Sequence, residues 1–272
     1  MTARPADANL FHALHKGPDI LILANAWDAG SARLIETLGA KAIATTSAGV
    51  AWSHGYADGH HLPVDALATT VREIARVVSV PISTDIERGY SDDPAAAGEA
   101  VARVIDAGAV GVNIEDGTLA PDLLCRKIEA ARRAAERGGV NLFVNARCDI
   151  YLNNVMQGEA ALAESIRRGK LYRDAGADGL FLPLASEPAV ISAVIAEIKL
   201  PFNAIARRGL LSLAELRTLG VRRLSAGAGV ARAAFETTRA AAAQFLADGD
   251  ADALVNKAGA PFDLNTLFKA GT

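Results

Sequence analysis

The chain has 272 residues, 51% of them hydrophobic, and a formal charge of -3 from 28 basic and 31 acidic side chains. That is enough apolar mass for a sizeable core, so disorder is excluded, and the near balance of charge gives no basic field for nucleic acid or anionic lipid. The start, MTARPADANL, lacks an apolar leader segment, no run reaches the ~18 apolar residues a membrane helix needs, and two cysteines fit a reducing cytoplasm better than a disulfide framework.

The segment before residue 18 reads as an N-terminal lid helix, and ILILA (20–24) as the first strand, followed by a helix over 30–38. A phrase then recurs: LGAKAIATTSAG from Leu38, AGAVGVNIEDG from Ala107, AGADGLFLPLA from Ala175 and LGVRRLSAGAG from Leu219. Each pairs a glycine suited to a helix C-terminus with a short aliphatic run suited to a buried strand. Further strands are predicted at 80–84, 141–146 and 201–206, which makes eight. Helices are predicted at 64–78, from Asp93-Pro94 to Gly108, after Pro121, and at 159–175, 187–198, 212–219 and 229–246. Alternation of this kind predicts an α/β fold, a (β/α)₈ TIM barrel, with a doubly wound open sheet as the competitor. We expect one domain over 1–272, with the barrel at about 18–246 and a C-terminal helical tail at about 250–272 packed on a neighbouring subunit.

In a barrel, chemistry gathers where strands end. The apolar strand in PISTDIERGY finishes on Asp85 and Glu87, two apart and therefore on one side of an extended backbone; Glu115 ends the next strand in the same way. Three carboxylates at one mouth repel each other unless a cation neutralises them, and an all-oxygen set suits Mg²⁺ or Mn²⁺; ion pairs with Arg88 and surface lysines are the alternative. Arg147, after FVNA, either pairs with Asp149 or Glu115 or grips a substrate carboxylate through two N–H groups. TTSAG (45–49) offers the Ser47 hydroxyl and the amides of Ala48 and Gly49 to a developing oxyanion. SAGAG (225–229) reads either as a phosphate cradle or as a tight turn, and Trp27 and Trp52 as a roof over the site or as packing.

ANAWDAGSARL, TTSAGVAWSHGYADG, PISTDIERGY, GAVGVNIEDG and VNARCD resemble the signatures of the isocitrate lyase/phosphoenolpyruvate mutase superfamily, from about Leu21 to Ala234. The resemblance implies a (β/α)₈ barrel in a homotetramer, a dimer of dimers that exchanges C-terminal helices. It implies Mg²⁺ near Asp85, Glu87 and Glu115, and a small 2-oxo acid or dicarboxylate held by Ser47, Ala48, Gly49 and Arg147. Asp58 matches the family's loop aspartate, and Asn203 resembles an asparagine of the lyases.

The match is incomplete. The lyases' Lys-Lys-Cys-Gly-His loop is absent from EDGTLAPDLLCRKIEAARR, and LPLAS stands where the lyases carry a glutamate. Cys125 and Cys148 read as packed thiols and Lys127 as part of a helix; His54 and Tyr56 are proton-donor candidates, and His60 and His61 are expected on the surface. The leading expectation is a carbon–carbon lyase or decarboxylase. The alternatives are a P–C bond enzyme, such as a phosphonopyruvate hydrolase or phosphoenolpyruvate mutase, and a barrel that binds a 2-oxo acid without turnover.

Overall fold

The computed structural model describes residues 2–251, 254 and 263–269. Eight parallel strands run in the order β1-β8-β7-β6-β5-β4-β3-β2. They are β1 Leu21–Leu23, β2 Ile43–Ala44, β3 Ile82–Asp85, β4 Gly111–Glu115, β5 Phe143–Arg147, β6 Gly179–Phe181, β7 Phe202–Ile205 and β8 Arg223–Ser225. A single bridge between Ala26 and Thr45 closes the ring between β1 and β2, giving the (β/α)₈ barrel. Six strands fall within the segments predicted from the sequence, and β3 and β5 each run one residue beyond theirs, to Asp85 and Arg147.

The helices are α1 Pro5–Leu14, α2 Ala29–Thr37, α3 Ser47–Ser53, α4 Val64–Val77, α5 Pro94–Ala107, α6 Pro121–Arg137, α7 Gly158–Asp174, α8 Pro188–Ile198, α9 Leu213–Leu219, α10 Gly229–Asp248 and α11 Leu264–Lys269. Their ends follow local chemistry. Asp93 caps α5 by accepting from the Ala95 amide, Pro94 opens the first turn, and Gly108 closes it at φ 117°. Ser212 and Glu215 form a reciprocal cap on α9, as Asp28 and Ser31 do on α2. The helix α3 was not expected, because TTSAG reads as a turn when only its small residues are weighed.

The N-terminal lid helix expected from the sequence is α1. It closes the barrel end opposite the strand C-termini, with Phe11 fully buried beside Phe143 at the start of β5. A Cβ on Gly111 would lie 2.7 Å from the Phe11 ring, so only glycine admits this plug. The expected C-terminal tail lies mostly outside the described residues. Its described part, α11, rests on α2 of the same chain and buries Leu267. Among the described residues no helix is long and apolar enough to cross a membrane.

Candidate active site

The strand C-termini open on a cavity of about 280 Å³. Asn25, Ser47, Asp58, Asp85, Asn113 and Arg147 supply its main polar lining, and Phe181, Leu184 and Ile205 its apolar wall. These residues come from seven of the eight strand ends and from the loop between α3 and α4. Backbone alternation produces the gathering: Asn113 and Glu115 leave β4, and Asn145 and Arg147 leave β5, at period two.

Asp85 lines the cavity and has no ion-pair partner among the described residues; it accepts from the Ser47 amide at 3.4 Å and the Glu87 amide at 3.2 Å. Ser47 begins α3, so the amides of Ala48 and Gly49 fall in its first turn, where helical amides lack an internal acceptor. Gly49 has a packing role as well: a Cβ there would lie 2.8 Å from Thr46 and 2.9 Å from Trp27. Trp27 is half-buried against the core and is not part of the cavity lining.

Arg147 is held on both sides, by Glu115 at 2.6 Å and by Asp149 through two hydrogen bonds of 2.6 and 3.0 Å. Both structural ion pairs left open by the sequence are therefore formed. Two of the five guanidinium N–H donors are spent on Asp149, Glu115 lies against the remaining terminal nitrogen, and the residue still lines the cavity. Burial works against its charge, but Glu115 and Asp149 outweigh it and raise its pKa further. Behind this pair, buried Asp116 accepts from the Asp149 amide, Arg168 and Tyr172, and so anchors the β5 end to α7.

The three expected metal carboxylates do not form one ligand set. Glu87 accepts from the His60 amide and Glu115 faces Arg147, which leaves Asp85 alone toward the cavity. Among the described residues no three His, Cys, Asp or Glu side chains are grouped to hold a metal ion. In donor type and charge the mouth still fits a hard divalent cation. Burial, with Asp85 and Asp58 nearby, pushes Glu87 up to about 7. Burial, opposed by Arg147 and aided by Asp85, Asp149 and Glu87, pushes Glu115 up to about 8. These raised values come first from burial and second from the neighbouring carboxylates, and a cation would relieve the second part.

Three further expectations are corrected or resolved. His60 is not a surface residue: it is half-buried, takes a hydrogen bond from Arg88 at 2.8 Å, and ties the Asp58 loop to Glu87. Asn203 is buried below the mouth, bonded to Ser225, and does not line the cavity. The SAGAG segment is a tight turn, since Gly227 at φ 56° donates its amide to Asn25. Cys125 and Cys148 are half-buried and buried with raised pKa values, as packed thiols should be. Buried Lys127 donates to the Arg88 carbonyl, away from the cavity. The sequence reading missed Arg223; its only signal was a charge alternating inward with Ser225 in an otherwise apolar run.

The phosphoenolpyruvate phosphomutase family pattern matches residues 11–246. An uncharacterised Mycobacterium tuberculosis protein is 38% identical over 241 residues, 88% of this chain and 90% of that one. The oxaloacetate decarboxylase of Paraburkholderia xenovorans is 30% identical over 225 residues, 77% and 72% of the two chains. A solved structure from Burkholderia cenocepacia, provisionally described as a lyase/mutase, superposes with a TM-score of 0.87 at 37% identity and covers 97% of this chain and 96% of its own. The chain thus belongs to the phosphoenolpyruvate phosphomutase family, within the isocitrate lyase/phosphoenolpyruvate mutase superfamily.

Proposed function

We propose that the chain is a divalent-metal-dependent carbon–carbon lyase acting on a small 2-oxo or 2-hydroxy dicarboxylate, with Mg²⁺ or Mn²⁺ as the ion. One observation carries this reading: an ionisable carboxylate without an ion pair, Asp85, and a guanidinium with unspent donors, Arg147, line the same cavity. Asp85 would hold the ion, with Glu87 and Glu115 behind it through water. When bound, the ion supplies positive charge facing the two oxygens of a 2-oxo acid.

The chain's own groups then have defined tasks. Arg147 binds the substrate carboxylate through N–H donors not spent on Asp149, and Glu115 and Asp149 fix the plane of the fork. In a 2-oxo substrate, as the carbon–carbon bond breaks, its electron pair moves onto the 2-oxo group, giving an enolate whose oxygen accepts from the Ser47 hydroxyl and the Ala48 and Gly49 amides. From a 2-oxo dicarboxylate carbon dioxide departs and a proton from water then adds to the enolate carbon. From a 2-hydroxy dicarboxylate the hydroxyl proton passes to water as its carbon becomes the oxo group of the departing fragment, the electron pair goes to the carboxylate of the other fragment, and a proton then adds to that fragment's carbon. Asp58, which lines the cavity on the loop tied down by His60, is the group we assign to the departing fragment. Phe181, Leu184 and Ile205 restrict water on the other side. The relationship to an oxaloacetate decarboxylase supports this class of substrate, and Lys127, committed to the Arg88 carbonyl, gives no support to the P–C alternative.

The test is release of pyruvate or glyoxylate across a panel of dicarboxylates with Mg²⁺, with and without EDTA. The expected outcome is turnover abolished by EDTA and by Asp85→Asn. Turnover indifferent to EDTA would remove the metal reading, and conversion of phosphonopyruvate seen by phosphorus NMR would favour the P–C alternative.

We further propose that the chain assembles as a homotetramer in which C-terminal helices are exchanged. In a closed barrel the helix after β8 covers the outer face of β8 and β1. Here α10 buries only Ala231, Ile22 on the outer face of β1 is 51% exposed, and Leu246 is 83% exposed. A second copy is the occupant that fits an uncovered face and a projecting helix of the same chain.

A further inference from the structure

Among the described residues the largest fully buried side chain is Arg223, 1% exposed, on β8 inside the barrel. It has no salt bridge among the described residues. Its one hydrogen bond runs from Nη2 to Asn113 Oδ1 at 3.2 Å, and Nε and Nη1 have no partner. Burial drives its pKa down to about 10, with Asp85 the nearest opposing charge. A buried guanidinium without a counter-ion is costly, and nothing in the packing of β8 requires one: the adjacent inward position of β7 holds Asn203.

The hydrogen bonds show what the charge does. Arginine can only donate, so Asn113 must present its oxygen to Arg223. Asn145 reinforces this choice by donating its Nδ2 to the same oxygen at 2.9 Å. With Oδ1 held from below by two donors, the orientation of the Asn113 amide is settled by its partners. Its Nδ2 then faces the other way. Asn113 lines the cavity, and Nδ2 is absent from the buried atoms that lack a partner.

We propose that Asn113 is a ligand-binding residue, donating from Nδ2 to a carboxylate or enolate oxygen in the cavity, and that Arg223 is the positioning residue that fixes this donor. The assignment rests on the proposed oxo-acid site and deepens it. Without Arg223 the amide is free to turn and offer its oxygen, an acceptor, to an anionic ligand. The buried charge is thereby explained as the means of holding one neutral donor in one orientation.

The test is calorimetric titration of the Mg²⁺-saturated protein with oxalate. Asn113→Ala should weaken binding about ten- to a hundredfold, the range for a hydrogen bond to a charged group. Arg223→Met should fold with stability equal to or above the parent and weaken oxalate in the same way. The double variant should be no worse than Asn113→Ala alone, because the two act through one bond. Asn113→Asp keeps a partner for Arg223 and puts an anion toward the ligand, so it should fold and bind oxalate least. Oxalate affinity unchanged in Asn113→Asp, or a lower melting temperature with unchanged affinity in Arg223→Met, would overturn the assignment. If the parent protein ignores oxalate, the oxo-acid reading fails separately. The positioning claim is then decided by neutron diffraction, which distinguishes the amide oxygen from the nitrogen, on the ligand-free parent and Arg223→Met: Nδ2 toward the cavity only in the parent upholds it, and Oδ1 toward the cavity in the parent overturns it.

Discussion

At the scale of single residues, the cavity depends on side chains whose partners fix them before any ligand arrives. Arg147 is the clearest case, because its plane is set by Glu115 and Asp149. Lysine keeps the charge but cannot make a forked contact, so Arg147→Lys should lower kcat/KM about ten- to a hundredfold with the fold intact. Steady-state kinetics and circular dichroism together check this. His15 is a different case, since it lies far from the mouth. Buried on Phe143 with its Nδ1 on the Phe11 carbonyl and faced by Arg223 and His12, it has its pKa lowered from 6.5 to about 3, burial being the main cause. The unfolded chain therefore binds a proton below pH 6.5 that the folded protein refuses. Stability falls as pH drops from 6.5 toward 3, by up to about 1.4 kcal/mol per pH unit for this one group. His15→Phe should flatten that slope in urea denaturation measured between pH 6.5 and 4, and an unchanged slope would show that other groups carry it.

At the scale of elements, the junction of β4, β5 and α7 holds the site together. Asp116 follows β4, accepts from Arg168 and Tyr172 on α7, and receives the amide of Asp149, which in turn grips Arg147. Removing it strands the buried Arg168 guanidinium, already held on one side by Glu164. Asp116→Ala should therefore cost about 3–5 kcal/mol in denaturant titrations, a loss typical of a broken buried ion pair. The loop carrying Asp58 is a second joint. His60, Glu87 and Tyr90 all take left-handed conformations, at φ 66°, 50° and 60°, where the two loops meet. Helix α3 shows the limit of local reading: its residues are small and weakly helical, and it forms because Val50 and Ala51 are buried in the core.

At the scale of the whole molecule, the barrel is complete but its outer cover is not. The uncovered face of β1 and the projecting α10 lead to the expectation that Ile22→Glu yields a smaller species than the parent in light scattering coupled to gel filtration. A charge on a face buried between subunits opposes assembly, whereas on a free surface it changes nothing. A parent protein that is monomeric at all concentrations would refute the exchange of helices.

The sequence by itself determined the strand and helix alternation, the strand ends that carry Asp85, Glu115 and Arg147, and the superfamily. Period-two and period-3.6 patterns and glycine or proline punctuation are local, and eight repeats of one unit leave little choice of fold. Only the tertiary structure decided which of those charges meet. Arg147 took both carboxylates offered to it, Glu87 turned to His60, and Arg223 was drawn under Asn113. Pairing between strand ends depends on the register around the closed ring, where residues as far apart in the chain as Asn25 and Gly227, 202 positions, come within hydrogen-bonding distance, and no local pattern encodes that distance.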